Sequence, residues 1–247
     1  MTHSQYKCQV QGKESFIDNL FVVFSQSYLI NKVHEYHKEK GHDNKNRVKL
    51  LELGCYNGRV MHFMTQQMLF VNYTGVDVTQ KYLAHSPVQR RKDVTLLCED
   101  VTKGLSVADG SQDMIISSEV LEHINPEDLP GVIQTLYDKL KLGGRICVAF
   151  PMNTKDKMYH NLEKEKGLGH VNFPVCEDFI ELCENIGFTL NHYDSGFTLK
   201  SSYRVPNYKD PLYKKIRDRL GSPVARAIWM TIDDGHTGGG YFTFDKL

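Results

Sequence analysis

The sequence predicts an α/β fold whose central sheet has seven strands, is mostly parallel and carries helices on both faces. The first observation is that short apolar runs alternate with helical stretches from Val48 onward. This alternation is typical of parallel sheets, whose neighbouring strands need crossover connections. The second observation is an apolar run, Val48 to Leu53, that leads through a glycine-bearing loop into a predicted helix. In open α/β sheets this strand–loop–helix unit is the usual place for a nucleotide-like ligand.

The first half of the predicted fold begins with helix and continues as alternating strands. Residues 14–40 carry apolar side chains at helical spacing, which predicts one or two amphipathic helices. A polar linker from Gly41 to Asn46 separates them from the sheet. Five strands with helical segments between them are then expected at Val48–Leu53, Val71–Val78, Val94–Cys98, Met114–Ser118 and Arg145–Pro151. The helix before the fifth strand is expected over Pro126–Leu142.

The last part of the chain predicts one more helix and two late strands. A helix over Val175–Asn185 should stop at Gly187, because glycine is preferred just after a helix end. Phe188–Tyr193 and Tyr241–Phe244 predict an antiparallel pair at the sheet edge, with the last strand antiparallel to the others. We therefore expect an N-terminal helical cap at 1–45 and a domain at 46–247, with a substrate-side insertion at about 195–236.

Composition indicates which classes of partner the protein binds and which cellular compartment it occupies. Thirty basic residues balance thirty acidic ones, so the chain lacks the net basic field typical of proteins that bind nucleic acid. The six cysteines are scattered without a C-x-x-C pair, which favours a reducing compartment and argues against structural zinc. No secretory signal pattern or membrane-spanning run is evident. We expect a cytoplasmic protein with a small-molecule partner.

The loop after the first strand identifies the ligand class. Its glycines are Gly54 and Gly58, whereas a dinucleotide fingerprint would also need glycine at positions occupied by Tyr56 and Arg59. The loop is therefore wrong for NAD. It resembles the E/D-x-G-x-G-x-G loop of class I S-adenosylmethionine-dependent methyltransferases, with Tyr56 in place of the middle glycine.

The resemblance covers roughly residues 45–195 and the last strand, and it implies a Rossmann-like sheet and a set of cofactor-binding residues. Asp77, at the end of the second strand, is expected to accept both ribose hydroxyls of S-adenosylmethionine. Asp100 is expected to accept the adenine amino group, while the backbone N–H of Val101 meets a ring nitrogen. The implied cofactor-binding residues are Glu52, Gly54, Gly58, Asp77, Val78, Asp100, Val101 and Ser118.

The segment after the fourth strand argues against nucleobase chemistry. The amino-methylating nucleic-acid enzymes carry an Asn/Asp-Pro-Pro-aromatic tetrad there, and the carbon-5 cytosine enzymes carry a Pro-Cys pair. This chain has Ser117-Ser-Glu-Val instead. A small-molecule acceptor is therefore favoured.

Glu119, Glu122 and His123 follow the fourth strand and form a candidate catalytic cluster. If Glu119 opens a helix, the other two lie on its face, at i+3 and i+4. The Glu-x-x-Glu-His motif with a later histidine, His170, resembles the ubiquinone-biosynthesis O-methyltransferases and the small-RNA 3′-terminal 2′-O-methyltransferases. That resemblance implies Mg²⁺ or Mn²⁺ on Glu119, Glu122, His123 and His170. Small-molecule members without a metal share the motif, so His170 or His123 acting as a general base stays open, as does a purely structural histidine.

The function expected is methyl transfer from S-adenosylmethionine to a small molecule, at a hydroxyl or phenol oxygen. Three alternatives remain at this stage. They are a metal-dependent RNA 3′-terminal 2′-O-methyltransferase, an N- or C-methyltransferase of a natural product or peptide, and a non-catalytic adenosylmethionine-binding protein.

Overall fold

The computed structural model describes residues 16–58, 60–62, 64, 71–156, 158, 161–162, 169–197 and 236–247, with 16–27, 194–197 and 236–239 described by backbone alone. Seven strands form one sheet in the order β3-β2-β1-β4-β5-β7-β6. Their bounds are β1 Val48–Leu53, β2 Val71–Asp77, β3 Val94–Cys98, β4 Gln112–Ser118, β5 Leu140–Pro151, β6 Phe188–Phe197 and β7 His236–Lys246. The strands from β1 to β5 pair in parallel, and β7 is antiparallel to both β5 and β6. This confirms the predicted mostly parallel sheet and its antiparallel last strand.

Four helices are described with clear bounds: α1 Phe16–Lys40, α2 Gln80–Leu83, α3 Leu129–Lys139 and α4 Cys176–Ile186. Residues 60–62 and 64 are also helical, directly after the glycine loop. Gly187 ends α4 in a left-handed conformation with φ 119°, as its sequence position predicts.

The helix α3 is shorter at its C-terminal end than the predicted Pro126–Leu142. It ends at Lys139 because Leu140 pairs with Gln112 across a β-bulge and so begins β5. Apolar periodicity alone does not distinguish the end of a helix from the start of a buried strand.

Both faces of the sheet are covered, because alternate residues of each strand point in opposite directions. On one face Leu51 and Ile115 pack with α3, α4 and the phenylalanines of β7. On the other face Leu50 and Met114 pack with α1 and the helical residues after the glycine loop. Helices on both faces are therefore confirmed.

The second half of α1 is an integral layer of this core. Leu29, Val33 and Tyr36 are buried against the sheet. Arg145 on β5 reinforces the contact, since it lies 2.9 Å from Glu39 of α1 and 2.6 Å from Asp245 of β7. The predicted cap at 1–45 thus includes a segment that the core requires. The predicted insertion at 195–236 lies almost wholly outside the described residues, and no described helix has the length and hydropathy to cross a membrane.

Candidate active site

The carboxyl ends of β3, β2, β1 and β4 lie side by side, since these strands are neighbours in the sheet and parallel. The loops that follow them therefore share one edge, where open α/β sheets bind their ligands. Every cofactor-binding residue that the sequence predicts falls on or directly beneath this edge. Those on β1, β2 and β3 form one side of it, and those after β4 form the other.

The glycine loop turns tightly between β1 and β2. The N–H groups of Gly54 and Cys55 both donate to the carbonyl of Val76, at 2.8 and 3.0 Å. Gly54 has φ +72°, and a Cβ at this position would overlap Cγ2 of Val120. Glycine is therefore required at 54 both by the backbone and by the side chain that follows β4. Gly58 also has a positive φ, of 76°.

Asp77 is fixed between two loops. Its Oδ1 accepts the Thr79 N–H at 2.8 Å and its Oδ2 accepts the Tyr56 N–H at 2.9 Å. Burial raises the pKa of Asp77, and the two N–H donors oppose that shift. A carboxylate held in this way suits the two hydroxyls of a ribose, and the adjacent Val78 leaves 42% of its surface exposed for an apolar ring.

Asp100 caps the short 3₁₀ turn Val101–Lys103. Its Oδ1 accepts the N–H of Thr102 at 3.1 Å and the Thr102 hydroxyl at 2.7 Å, and its Oδ2 lies 2.9 Å from Nζ of Lys103. Partial burial raises the pKa of Asp100, but the hydrogen bonds from Thr102 and Lys103 outweigh it and leave the pKa lowered. Asp100 is thus a charged carboxylate with local partners. Its contact with adenine, and that of the buried Val101, stay predictions.

Glu52 lies beneath the glycine loop rather than in the open edge. It is buried and accepts a hydrogen bond from the Tyr73 hydroxyl. Burial raises the pKa of Glu52 to about 8, the Tyr73 bond opposes this, and the charge of Asp77 adds to it. Glu52 pairs in register with Gly75, where a Cβ would lie 2.9 Å from the Tyr73 hydroxyl oxygen. The sequence analysis did not identify Tyr73 as a partner of Glu52. Only the alignment of β1 with β2 could have indicated this contact.

The chain after β4 departs from the predicted helix. Glu119 does not open an α-helix but adopts a left-handed conformation with φ 56°. Its N–H donates to the Ala149 carbonyl at 2.9 Å, which prolongs the β4–β5 pairing by one residue beyond Ser118. A 3₁₀ turn at Leu121–His123 follows. The expected helical i+3 and i+4 geometry is therefore wrong, although the side chains still converge.

Glu119 and Glu122 lie close enough that each carboxyl group affects the charge of the other. Glu122 is 0% exposed. Burial raises the pKa of Glu122 to about 7, while His123 lowers it. Burial and then the neighbouring charge raise the pKa of Glu119 well above its ordinary value. The pair therefore holds a proton near neutral pH, as closely spaced carboxyl groups do.

His123 is oriented by a backbone carbonyl. Its Nδ1 lies 3.0 Å from the Gly169 carbonyl oxygen, which only accepts, so Nδ1 carries a proton. Nε2 lies 3.8 Å from Oε1 of Glu122. The segment after Gly169 is fastened to the same turn, because the N–H groups of Val171 and Asn172 donate to the Glu122 carbonyl. The rings of His123 and His170 lie 5.0 Å apart.

The donor set suits a divalent cation. One ligand atom from each of Glu122, His123 and His170 falls within 4.8 Å of the others. The carboxylate oxygens of Glu122 and Oε1 of Glu119 are buried without a well-formed donor among the described residues. Carboxylate and imidazole ligands together match Mg²⁺, Mn²⁺ or Fe²⁺. The structure thus brings together three of the four ligands that the sequence nominates, and Glu119 does not belong to this group.

Known proteins show the same architecture. A family model described as a methyltransferase domain matches residues 24–193. A malonyl-[acyl-carrier protein] O-methyltransferase from Bacillus anthracis is 26% identical over 121 residues, which are 48% of this chain and 44% of that protein. The chain thus matches less than half the length of this curated relative.

Two solved structures illustrate the fold. A S-adenosylmethionine-dependent methyltransferase from Archaeoglobus fulgidus has a TM-score of 0.56 and 16% identity, covering 90% of this chain and 94% of that one. A phosphoethanolamine N-methyltransferase from Haemonchus contortus, in complex with S-adenosylmethionine, has a TM-score of 0.57 and 16% identity, covering 81% and 49%. With the sheet order, the glycine loop and the family match together, the chain belongs to the class I S-adenosylmethionine-dependent methyltransferases.

Proposed function

We propose that this protein transfers the methyl group of S-adenosylmethionine to an oxygen atom of a small molecule, a hydroxyl or a phenol. The observation that carries the proposal is the cluster beside the cofactor edge in which one ligand atom from each of Glu122, His123 and His170 falls within 4.8 Å of the others. A hydroxyl acceptor must lose a proton as it is methylated, whereas a group that is already ionised need not. A proton acceptor at this place is therefore what an O-methyltransferase of a hydroxyl needs.

The cofactor half of the site lies at the ends of β1, β2 and β3, and it holds and orients S-adenosylmethionine. Asp77 is positioned by backbone N–H groups to accept two ribose hydroxyls, and Val78 offers an apolar surface. The glycines at 54 and 58 keep Cβ atoms out of the loop, and Ser118 ends β4 at the same edge. S-adenosylmethionine supplies a methyl group already activated on a sulfonium. The residues therefore mainly fix geometry and exclude water.

The acceptor half consists of Glu119, Glu122, His123 and His170, and it takes up the proton that the acceptor hydroxyl loses. With a pKa of about 7, Glu122 changes protonation state near neutral pH, which is the condition for an effective general base. Nε2 of His123 lies 3.8 Å from Oε1 of Glu122, and the Gly169 carbonyl holds the ring in this orientation. His170 lies across from His123 and is the second candidate for the base. Either histidine takes the proton that the acceptor hydroxyl loses and passes it to the glutamate pair.

A divalent cation fits the same residues and offers a second way to activate the acceptor. Glu119, Glu122, His123 and His170 would hold Mg²⁺ or Mn²⁺, which lowers the pKa of a bound hydroxyl as it does for bound water. The orphaned carboxylate oxygens support this proposal. The same observation favours a second candidate function, a metal-dependent 3′-terminal 2′-O-methyltransferase of RNA, whose family the motif resembles.

A curated relative supports the oxygen acceptor. The relative from Bacillus anthracis is named for O-methylation, so an oxygen acceptor is consistent with the fold's use elsewhere.

The cysteines bear on the compartment. Those among the described residues are Cys55, Cys98, Cys147, Cys176 and Cys183, all free thiols. Free thiols favour a reducing compartment, for which we propose the cytoplasm.

The test is formation of S-adenosylhomocysteine over a panel of phenols, aliphatic hydroxyls, carboxylic acids and amines. It is run with EDTA and again after adding Mg²⁺ or Mn²⁺. The proposal predicts turnover on a phenol or hydroxyl. Activity confined to amines or carbon nucleophiles would contradict it, and activity on RNA with a free 2′-hydroxyl at its 3′ end would establish the second candidate. Loss in EDTA with rescue by Mn²⁺ would assign the metal, whereas full activity in EDTA would leave the general base.

A further inference from the structure

Tyr56 is the residue at which this chain departs from the glycine loop of its family, and the structure shows where its side chain lies. The residue has φ +52°, a left-handed conformation that is unfavourable for a tyrosine. Glycine would adopt this conformation without strain. A bulky residue persists in such a conformation where the surrounding structure holds it there, and such positions cluster at ligand clamps.

The Tyr56 ring packs on Tyr82, the third residue of α2. The ring centroids lie 4.2 Å apart at an interplanar angle of 46°. Tyr56 follows β1 and Tyr82 follows β2, so the pair connects two loops of the cofactor edge. The Tyr56 ring therefore turns towards the end of β2, where the ribose site is, and 38% of its surface remains exposed.

Asp77 lies at the foot of this pair. Its Oδ2 accepts the Tyr56 N–H at 2.9 Å, and it stands three residues before α2 begins. Burial raises the pKa of Tyr82, and the nearby Tyr56 and Asp77 raise it further, which places Tyr82 within the electrostatic reach of both. A nucleoside whose hydroxyls bind Asp77 would therefore lie beside this aromatic pair.

We infer that Tyr56 and Tyr82 form a side wall of the ribose site and retain the bound nucleoside, both S-adenosylmethionine and its product S-adenosylhomocysteine. The inference rests on the proposed function only in its use of the cofactor. An aromatic wall held by two loops adds apolar contact at the ribose, where the described contacts of Asp77 are polar. Such a wall acts on the rate of dissociation, because leaving the site requires the rings to separate or the nucleoside to slide past them.

The test measures S-adenosylhomocysteine dissociation by stopped flow and affinity by calorimetry in matched variants. Tyr56→Gly and Tyr56→Asn both tolerate the left-handed backbone but lack the ring. Tyr82→Leu removes the partner ring without touching the glycine loop, and Tyr56→Phe keeps the ring and loses only the hydroxyl. We expect dissociation to be about threefold to tenfold faster in the first three variants, the range that one aromatic pair contributes. Tyr56→Phe should stay close to the wild type.

The double variant Tyr56→Gly/Tyr82→Leu should lose little more than either single variant, because both remove the same contact. In turnover the KM for S-adenosylmethionine should rise while kcat is retained. Wild-type dissociation rates in Tyr56→Gly and Tyr82→Leu would overturn the inference while the cofactor assignment stands. Absence of any S-adenosylhomocysteine binding in the wild type would overturn both.

Discussion

The two halves of the active-site edge treat their carboxyl groups in opposite ways. In the cofactor half, Asp77 and Asp100 accept hydrogen bonds from backbone N–H groups, and Asp100 also pairs with Lys103. In the acceptor half, Glu119 and Glu122 are buried beside each other, and burial raises the pKa of both. The first arrangement fixes a charge in place, and the second makes a proton easy to gain or lose.

This difference separates binding from chemistry. A charged carboxylate with fixed donors is a good acceptor for neutral hydroxyls, because its charge and its orientation do not change on binding. A buried carboxyl pair is a poor fixed acceptor but a good proton carrier or cation ligand. Two neighbouring carboxylates repel each other, and a proton or a cation bound to one of them removes that repulsion. We therefore expect variants in the two halves to fail in different assays.

The largest expected effect is in the acceptor half. Glu122→Gln keeps the shape of the side chain but removes its basicity, so turnover should fall by about 10²–10⁴-fold. In the wild type the rate should rise with pH through about 7, as Glu122 loses its proton. Glu127→Gln, which changes an exposed carboxyl five residues later, is the control and should keep its rate. A fully active Glu122→Gln would remove Glu122 from the chemistry.

The same comparison assigns His170. If His170 is the base, His170→Ala should slow turnover by about 10²–10⁴-fold in the presence or absence of a chelator. If the cluster holds a metal, the wild type itself should lose activity in chelator and recover with Mg²⁺ or Mn²⁺. Undiminished activity in both conditions, and in His170→Ala, would mean that catalysis rests on positioning alone.

A smaller effect is expected where the two halves touch, at Gly54 and Val120. Gly54→Ala should destabilise the fold by about 1–2 kcal/mol for its left-handed backbone and by about 1–3 kcal/mol for the overlap with Val120. In a double-mutant cycle by urea unfolding, Val120→Ala should restore the second part and not the first. Simple additivity of the two changes would show that this contact does not join the halves.

The smallest effect per unit of the measured variable concerns Glu52 and appears as a slope of the free energy of unfolding with pH. Its pKa is about 8 in the folded protein against an ordinary value of 4.5, so the folded state favours the protonated form. Stability from this group is complete below pH 4.5 and is lost as pH rises towards 8, at up to about 1.4 kcal/mol per pH unit. Glu52→Gln should flatten that slope in the free energy of unfolding, whereas Glu184→Gln at an exposed site should not. An unchanged slope in Glu52→Gln would contradict the buried, protonated state.

Local features of the fold were readable from the sequence. The loop at Gly54 follows an apolar run, Asp77 ends the next one, and Gly187 follows the last helical turn of α4, so each is signalled by a few neighbouring residues. The mostly parallel sheet follows from the same alternation of strands and helices. The C-terminal half of α1 was also predicted as helix, but not its place in the core.

Features that depend on strand register or on distant packing were not readable. The left-handed backbone of Glu119 arises where its N–H joins Ala149 on β5, and no local pattern marks it. The Tyr73–Glu52 hydrogen bond depends on how β1 and β2 are aligned. The orientation of the His123 ring depends on the Gly169 carbonyl, 46 residues away. These contacts decide the chemistry of the site. The sequence therefore allowed its residues to be named, but not their conformations or hydrogen-bond partners.

Calorimetry of S-adenosylmethionine binding to two variants tests the division between the halves most directly. Asp77→Ala should lose about 1.5–3 kcal/mol for each hydrogen bond to a ribose hydroxyl, so affinity falls by tenfold or more. Asp93→Ala, which removes an ion-paired carboxylate just before β3, serves as its control and should bind normally. Glu122→Gln should bind within about twofold of the wild type, since its carboxyl group serves the proton and not the cofactor. Wild-type affinity in Asp77→Ala, or an equal loss in Glu122→Gln, would contradict the account.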